Sequence, residues 1–189
     1  MPALLNIIIG PMFSGKSSEL IRQVKRARIA NKKVLVLKPD KDTRTDSKIQ
    51  SHDGLTIDCV NTDYSLMDIP YIDDEIDLIA IDEAQFFHDL YKFTKFYLSN
   101  GKEIIVAGLD GDYRRKKFGE ILDLIPLSNK VTKLSAICNV CGKEAHFTFR
   151  KSDEEAQIII GEYDKYEARC WKHWEEGMKR HYLNKGMLI

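Results

Sequence analysis

Gly10-Pro11-Met12-Phe13-Ser14-Gly15-Lys16-Ser17, close to the start of the 189-residue chain, decides the fold. The stretch reads G-x-x-x-x-G-K-S, the spacing of a Walker A phosphate-binding loop. Before it, residues 3–9 (ALLNIII) form an apolar run of strand length. After it, residues 18–31 carry helical spacing, with Leu20, Val24 and Ala27 on one face. Strand, loop and helix in that order aim successive backbone N–H groups and a helix N-terminus at phosphate oxygens, and glycines let the chain pass closest. In such a loop Lys16 neutralises the β- and γ-phosphates of a nucleotide, and the Ser17 hydroxyl holds Mg2+.

Working outward, residues 33–38 (KVLVLK) give a second apolar, β-branched run, which completes a β-α-β unit and implies a parallel sheet. Residues 39–54 (PDKDTRTDSKIQSHDG) are polar and read as a flexible loop beside the phosphate site, with Arg44 as a candidate phosphate clamp. Residues 55–60 read as a further strand. Residues 77–81 (DLIAI) are an apolar strand that runs into Asp82-Glu83-Ala84-Gln85-Phe86-Phe87. An acidic residue at the C-terminal end of such a strand is the Walker B arrangement, in which Asp82 orients Mg2+. Glu83, the next carboxylate, is the best placed general base for whatever attacks the γ-phosphate. Residues 88–100 then read as a helix closed by Gly101, and residues 103–109 as the next strand. The cations at 114–117, flanked by Tyr113 and Phe118, read as a turn whose aromatics face the site.

The third signal is Cys138-x-x-Cys141, followed after 28 intervening residues by Cys170-x-x-His173. Two pairs at two-residue spacing suit tetrahedral zinc. Four protein ligands leave no position open for water, which makes the metal structural. Between the pairs, residues 145–149 and 157–160 are β-like, so a small zinc-pinned hairpin is expected.

Composition sets the outer limits. The length supports one good core and a small appendage. With 29 Lys+Arg against 29 Asp+Glu the formal net charge is zero, so no nucleic-acid or membrane partner is expected. The N-terminus lacks a basic start and a small-residue cleavage site, which points to the cytoplasm and to reduced or metal-bound cysteines.

These signals in this order resemble the cellular and bacterial-type (type II) thymidine kinases over roughly residues 4–173. The resemblance rests on GPMFSGKS, Lys41-Asp42-Thr43-Arg44, DEAQFF, Gly108-Leu109-Asp110-Gly111 with Phe118-Gly119, both zinc pairs and Asp164-Lys165-Tyr166. It implies that ATP sits on residues 10–17 with Asp82, Glu83, Ala84, Gln85 and Arg44 alongside. It also implies that a zinc-tethered loop, the lasso, closes over thymidine. Glu83 then deprotonates the 5′-hydroxyl, and Met12, Leu109, Tyr113, Phe118, Thr148, Ile159 and Tyr166 form the thymine pocket. Tyr113 stands where phenylalanine is common, Gln157 replaces an apolar lasso residue, and His173 replaces a fourth cysteine. A homotetramer and feedback inhibition by dTTP are further implications.

The expected architecture is α/β, a RecA-like P-loop parallel sheet with a zinc-ribbon-like lasso. Its parts are a kinase domain at 1–137, the lasso domain at 138–173 and a basic, amphipathic tail at 174–189 with no assigned role. The expected reaction converts ATP and thymidine to ADP and dTMP with Mg2+ and structural zinc. The alternative is a P-loop ATPase stimulated by nucleic acid, which the chain's length and neutral charge disfavour.

Overall fold

The run of isoleucines before the phosphate loop forms the strand Leu5–Ile9 (β1). The chain continues through the helix Lys16–Ile29 (α1) and the strands Val34–Pro39 (β2), Lys48–Gln50 (β3), Thr56–Asp58 (β4), Val60–Thr62 (β5) and Leu78–Ile81 (β6). A 3-10 turn, Ala84–Phe86, precedes the helix Leu90–Ser99 (α2) and the strand Glu103–Gly108 (β7). A second 3-10 segment, Ile121–Leu127, leads to Lys130–Lys133 (β8). The short strands Ala136–Ile137 (β9), Glu144–Ala145 (β10), Phe147–Arg150 (β11) and Tyr166–Arg169 (β12) follow, and the helix Trp171–Asn184 (α3) comes last. The structure, a computed structural model, describes residues 3–40, 48–50, 54–152, 154, 156–158 and 164–184, apart from the side chains of Tyr182 and Asn184.

Six strands form one parallel sheet in the order β5-β2-β6-β7-β1-β8. One strand, β7, separates the phosphate-loop strand β1 from the acidic strand β6. Because side chains alternate across a strand, each β-strand feeds two cores. Ile7 and Ile9 point to the face covered by α2 and the Ile121–Leu127 segment, with Phe87, Leu90, Phe93, Ile121 and Leu124. Ile8 points to the opposite face, where Leu20, Ile21 and Val24 of α1 meet Val36, Ala80 and Ile105. Both faces are therefore covered, which is why β6 is apolar throughout and β7 is apolar from Ile104 onward.

Four expectations need correction. The polar stretch 39–54 is not loop throughout, because Lys48–Gln50 is a strand paired antiparallel with Thr56–Asp58, and Ile49 is buried under the α1 face. The expected strand at 55–60 is split, with Val60–Thr62 joining the main sheet beside β2. The hairpin between the metal pairs does not use residues 157 and 158, and the rest of the expected run, 159 and 160, lies outside the described residues. Its second strand is Tyr166–Arg169, in register Phe147↔Arg169 to Arg150↔Tyr166, while residues 157 and 158 carry no strand. Residues 174–184, expected as part of a tail, continue a helix that begins at Trp171 and buries Trp174 and Met178 against Phe149.

Candidate active site and metal centre

The loop between β1 and α1 turns on three residues at positive φ, Gly10 at 154°, Phe13 at 65° and Gly15 at 79°. A Cβ on Gly10 would lie 2.6 Å from the Leu134 carbonyl, so only glycine lets the loop leave the sheet there. Gly15 caps α1 in the left-handed conformation and makes no side-chain cap hydrogen bond. A helix N-terminus directs its N–H groups and its dipole toward anions. Lys16 is buried, with its ammonium 2.6 Å from the Pro11 carbonyl across the loop, and Ser14 Oγ donates to the same carbonyl at 2.9 Å.

Asp82 follows β6 directly and is buried. Its N–H donates to the Leu37 carbonyl on β2, and its carboxylate accepts a hydrogen bond from Ser17. The two motifs, 65 positions apart, thus meet at the C-terminal end of the sheet. Burial first, and the neighbouring Glu83 second, push the Asp82 carboxyl up to about 7, against the pull of Ser17 and Lys16. Ser17 and Asp82 present the oxygen donors that Mg2+ prefers. Lys38, which sequence reasoning passed over, follows Leu37 at the end of β2 and is fully buried.

Glu83 sits at φ 48°, a left-handed conformation that costs a non-glycine residue roughly 1–3 kcal/mol and gathers at functional sites. Gln85 is buried beside it. Its Nε2 donates to Glu83 Oε2 at 2.7 Å, and its Oε1 accepts from Leu109 N–H at 2.9 Å. The Leu109 bond fixes which way the amide faces, so an N–H must point at Glu83.

The residues expected around a base gather on the same side. Thr148 Oγ1 accepts from Met12 N–H at 3.0 Å, joining the phosphate loop to β11. Tyr113 and Phe118 are buried in the turn after β7, where Asp112 Oδ1 accepts from Arg114 N–H and Lys116 N–H. Phe118 meets Phe86 edge-on at 5.6 Å. The Tyr166 hydroxyl accepts from Arg150 at 2.7 Å. Gln157, the polar lasso position, donates to Asp112 Oδ2 at 3.1 Å. Arg44 and Ile159 lie outside the described residues.

Cys138 and Cys141 occupy the turn between β9 and β10, closed by Gly142 N–H on the Cys138 carbonyl at 2.9 Å. Cys170 follows β12, and His173 lies in the first turn of α3. The four ligand atoms fall within 4.8 Å of one another. Cys141 Sγ and Cys170 Sγ are 3.9 Å apart, while His173 Nδ1 is 3.5 Å from Cys138 Sγ and 3.3 Å from Cys170 Sγ. Tetrahedral zinc, at about 2.3 Å from sulfur and about 2.0 Å from nitrogen, needs edges of about 3.8 Å between sulfurs and about 3.5 Å between sulfur and nitrogen. The four residues fit that ion. Burial pushes the Cys138 thiol up, yet backbone N–H groups of Cys170, Val140 and Cys141 outweigh it and hold the thiol at about 6, prepared for thiolate ligation.

Trp174 was invisible to motif reading. Its Nε1 donates to the carbonyls of Tyr113 and Thr148, each at 3.2 Å, so α3 braces two residues of the expected base pocket. Arg115 stacks on the same indole at 3.7 Å and on Trp171 at 4.3 Å, and pairs with Glu175 at 2.8 Å. The signal was present only as two tryptophans on a charged helix, which says nothing of what they touch.

Sheet order and loop geometry define the class, an α/β protein of P-loop architecture with a small module whose Cys and His cluster could hold a metal ion. Within that class, a family model described as thymidine kinase matches residues 3–174. The thymidine kinase of Myxoma virus (strain Lausanne) is 46% identical over 168 residues, covering 89% of this chain and 94% of its own. Thymidine kinase a of Arabidopsis thaliana is 45% identical over 180 residues, covering 90% and 74%. The cytosolic thymidine kinase of Cricetulus griseus is 45% identical over 166 residues, covering 88% and 70%. The chain belongs to the thymidine kinase family.

Proposed function

We propose that this chain transfers the γ-phosphoryl group of ATP to the 5′-hydroxyl of thymidine, giving ADP and dTMP. One observation carries the reading. Lys16, Ser17, Asp82 and Glu83 share the C-terminal end of the sheet with Met12, whose N–H is held by Thr148 of the module beyond. Phosphate chemistry and a base pocket are thereby adjacent.

In this reading the N–H groups of residues 10–17 cradle the phosphates, and Lys16 moves its ammonium from Pro11 to the β- and γ-oxygens. The Glu83 carboxylate takes the proton of the 5′-hydroxyl as that oxygen bonds to γ-phosphorus and the bond to the β-bridging oxygen breaks. Gln85 holds Glu83 on the side of Leu109. Ser17 and Asp82 would hold Mg2+, which would supply positive charge to offset that developing on the transferring phosphoryl group. Arg44 adds a phosphate contact. Met12, Leu109, Tyr113, Phe118, Thr148, Ile159 and Tyr166 close around thymine, and zinc on Cys138, Cys141, Cys170 and His173 would fix the ends of the lasso. Catalysis is then mostly positioning and electrostatics.

We also take residues 1–137 as the kinase unit, 138–173 as the lasso unit and 174–189 as a C-terminal tail. Among the described residues no helix is long and apolar enough to cross a membrane. The Cricetulus griseus relative is named cytosolic, and we carry that location over. A homotetramer inhibited by dTTP completes the proposal, to be tested by light scattering with and without ATP and by dTTP titration of activity.

The deciding experiment measures ADP release with thymidine, with single-stranded DNA, and with neither. Release that depends on thymidine alone supports the kinase. Stimulation by DNA and indifference to thymidine would favour a nucleic-acid-dependent ATPase.

A further inference from the structure

We propose that Arg150 is a positioning residue for the nucleoside, the template on which the lasso backbone is laid, at the end of the hairpin that the metal does not reach. The inference rests on the pocket described under the proposed function.

Arg150 closes β11 and is 3% exposed. Its Nη1 donates to the Glu154 carbonyl at 3.0 Å and to the Ala156 carbonyl. Its Nη2 donates to the Gln157 carbonyl at 2.8 Å and to the Tyr166 hydroxyl at 2.7 Å. The guanidinium also lies 3.7 Å above the ring of Tyr113. Among the described residues its partners are therefore neutral: three carbonyls, a phenol and an aromatic face.

Residues 154, 156, 157 and 158 lie in no strand, so their carbonyls have no ladder to satisfy them. A planar fork with several donors can hold three such carbonyls from one fixed point. Lysine, a single ammonium on a flexible stem, cannot span them in that geometry. The register separates this device from the metal. Cys170 follows Arg169, which pairs with Phe147, whereas Arg150 pairs with Tyr166 at the other end. Three residues of strand place the two ends about 10 Å apart. The metal cluster fixes the root of the hairpin. Arg150 fixes its tip, and by stacking on Tyr113 and bonding Tyr166 it sets two pocket side chains at the same time. Gln157 adds its own bond to Asp112, in the turn that carries Tyr113.

The test uses the full chain with Arg150→Met and Arg150→Lys, steady-state kinetics in both substrates, and zinc content by atomic absorption. We expect the thymidine KM to rise about ten- to a hundredfold in Arg150→Met and less in Arg150→Lys. The ATP KM should stay within about twofold in both, with zinc content equal to the parent's. Amide exchange at 154 and 156–158 should quicken in both variants, a readout independent of turnover. A thymidine KM within twofold of the parent, or ATP and thymidine KM rising together, would overturn the assignment. Should Arg150→Met fail to fold, Arg150→Lys alone decides, because unchanged thymidine KM and unchanged exchange there contradict the template. A parent chain with no thymidine-dependent ADP release would instead refute the proposed function.

Discussion

The sheet and the module that carries the Cys and His cluster are held by different physics. The sheet lies between two apolar cores, one built around Ile7, Ile79, Phe87 and Phe93, the other around Ile8, Leu20, Val36 and Ile105. The module has only two small clusters, Ala136, Cys138, Ala145 and Ala168 in one, and Phe149, Trp174 and Met178 in the other. Clusters of that size cannot by themselves offset the entropy of ordering the chain around them. The module relies on point restraints instead: the Cys and His cluster, the Arg150 fork, and the Trp174 indole donating to Tyr113 and Thr148. A site on the sheet should therefore survive loss of any single contact in the module. A site on the module should not.

The largest effects fall on the sheet side and change chemistry without changing fold. Glu83→Gln keeps the shape and removes the base, so kcat should drop roughly 100- to 10,000-fold with little change in ATP KM. Lys16→Ala should lower turnover roughly 100- to 1,000-fold, since a buried cation aimed at the transferring group is lost, while thymidine still binds in calorimetry. Equal loss of both ligands in Lys16→Ala would break the comparison.

A middle-sized effect concerns stability and pH. The Asp82 carboxyl is raised to about 7 in the fold against an ordinary value of 3.8, so the folded chain binds the extra proton between those limits. Stability of chelator-treated protein is then highest below about pH 4 on this group's account, and its share is lost as pH rises through about 7. Denaturant melts of Asp82→Asn against the parent should show this slope in the parent alone. A parallel pair of curves would mean that Asp82 is not held protonated.

The smallest effect lies in the module. Trp174→Phe removes one donor and leaves two carbonyls short of a partner, a loss of about 1–2 kcal/mol. We expect thymidine KM to rise severalfold and ATP KM to stay put. A rise in ATP KM of the same size would show that α3 braces the sheet as well.

The same division explains what the sequence revealed. β1, β2, β6 and β7 were legible because strands buried on both faces read as apolar runs, and the phosphate loop because its spacing is local. The metal ligands were legible for the same reason, as two local pairs. The edge strand Lys130–Lys133, the strand Lys48–Gln50 and the strand Tyr166–Arg169 were not, since each is short and mostly polar. α3, with Gly177 inside it, showed in the sequence only as a basic, amphipathic stretch. The glycine is there because a Cβ would lie 2.0 Å from Arg169 Nη1 and 2.6 Å from the Phe149 ring. Arg150, Lys38 and Trp174 were missed because a buried polar side chain is defined by partners distant in sequence, and no spacing records them.

The central claim is that ATP is held by the sheet and thymidine by the separately pinned module. Calorimetric titration of ATP and of thymidine into Cys141→Ser, and into parent protein stripped of metal, tests it most directly. The account predicts one zinc per parent chain, thymidine affinity reduced by about a hundredfold or more on its loss, and ATP affinity within about threefold of the parent. Thymidine binding at parental strength without metal, or loss of ATP binding in step with it, would contradict the account.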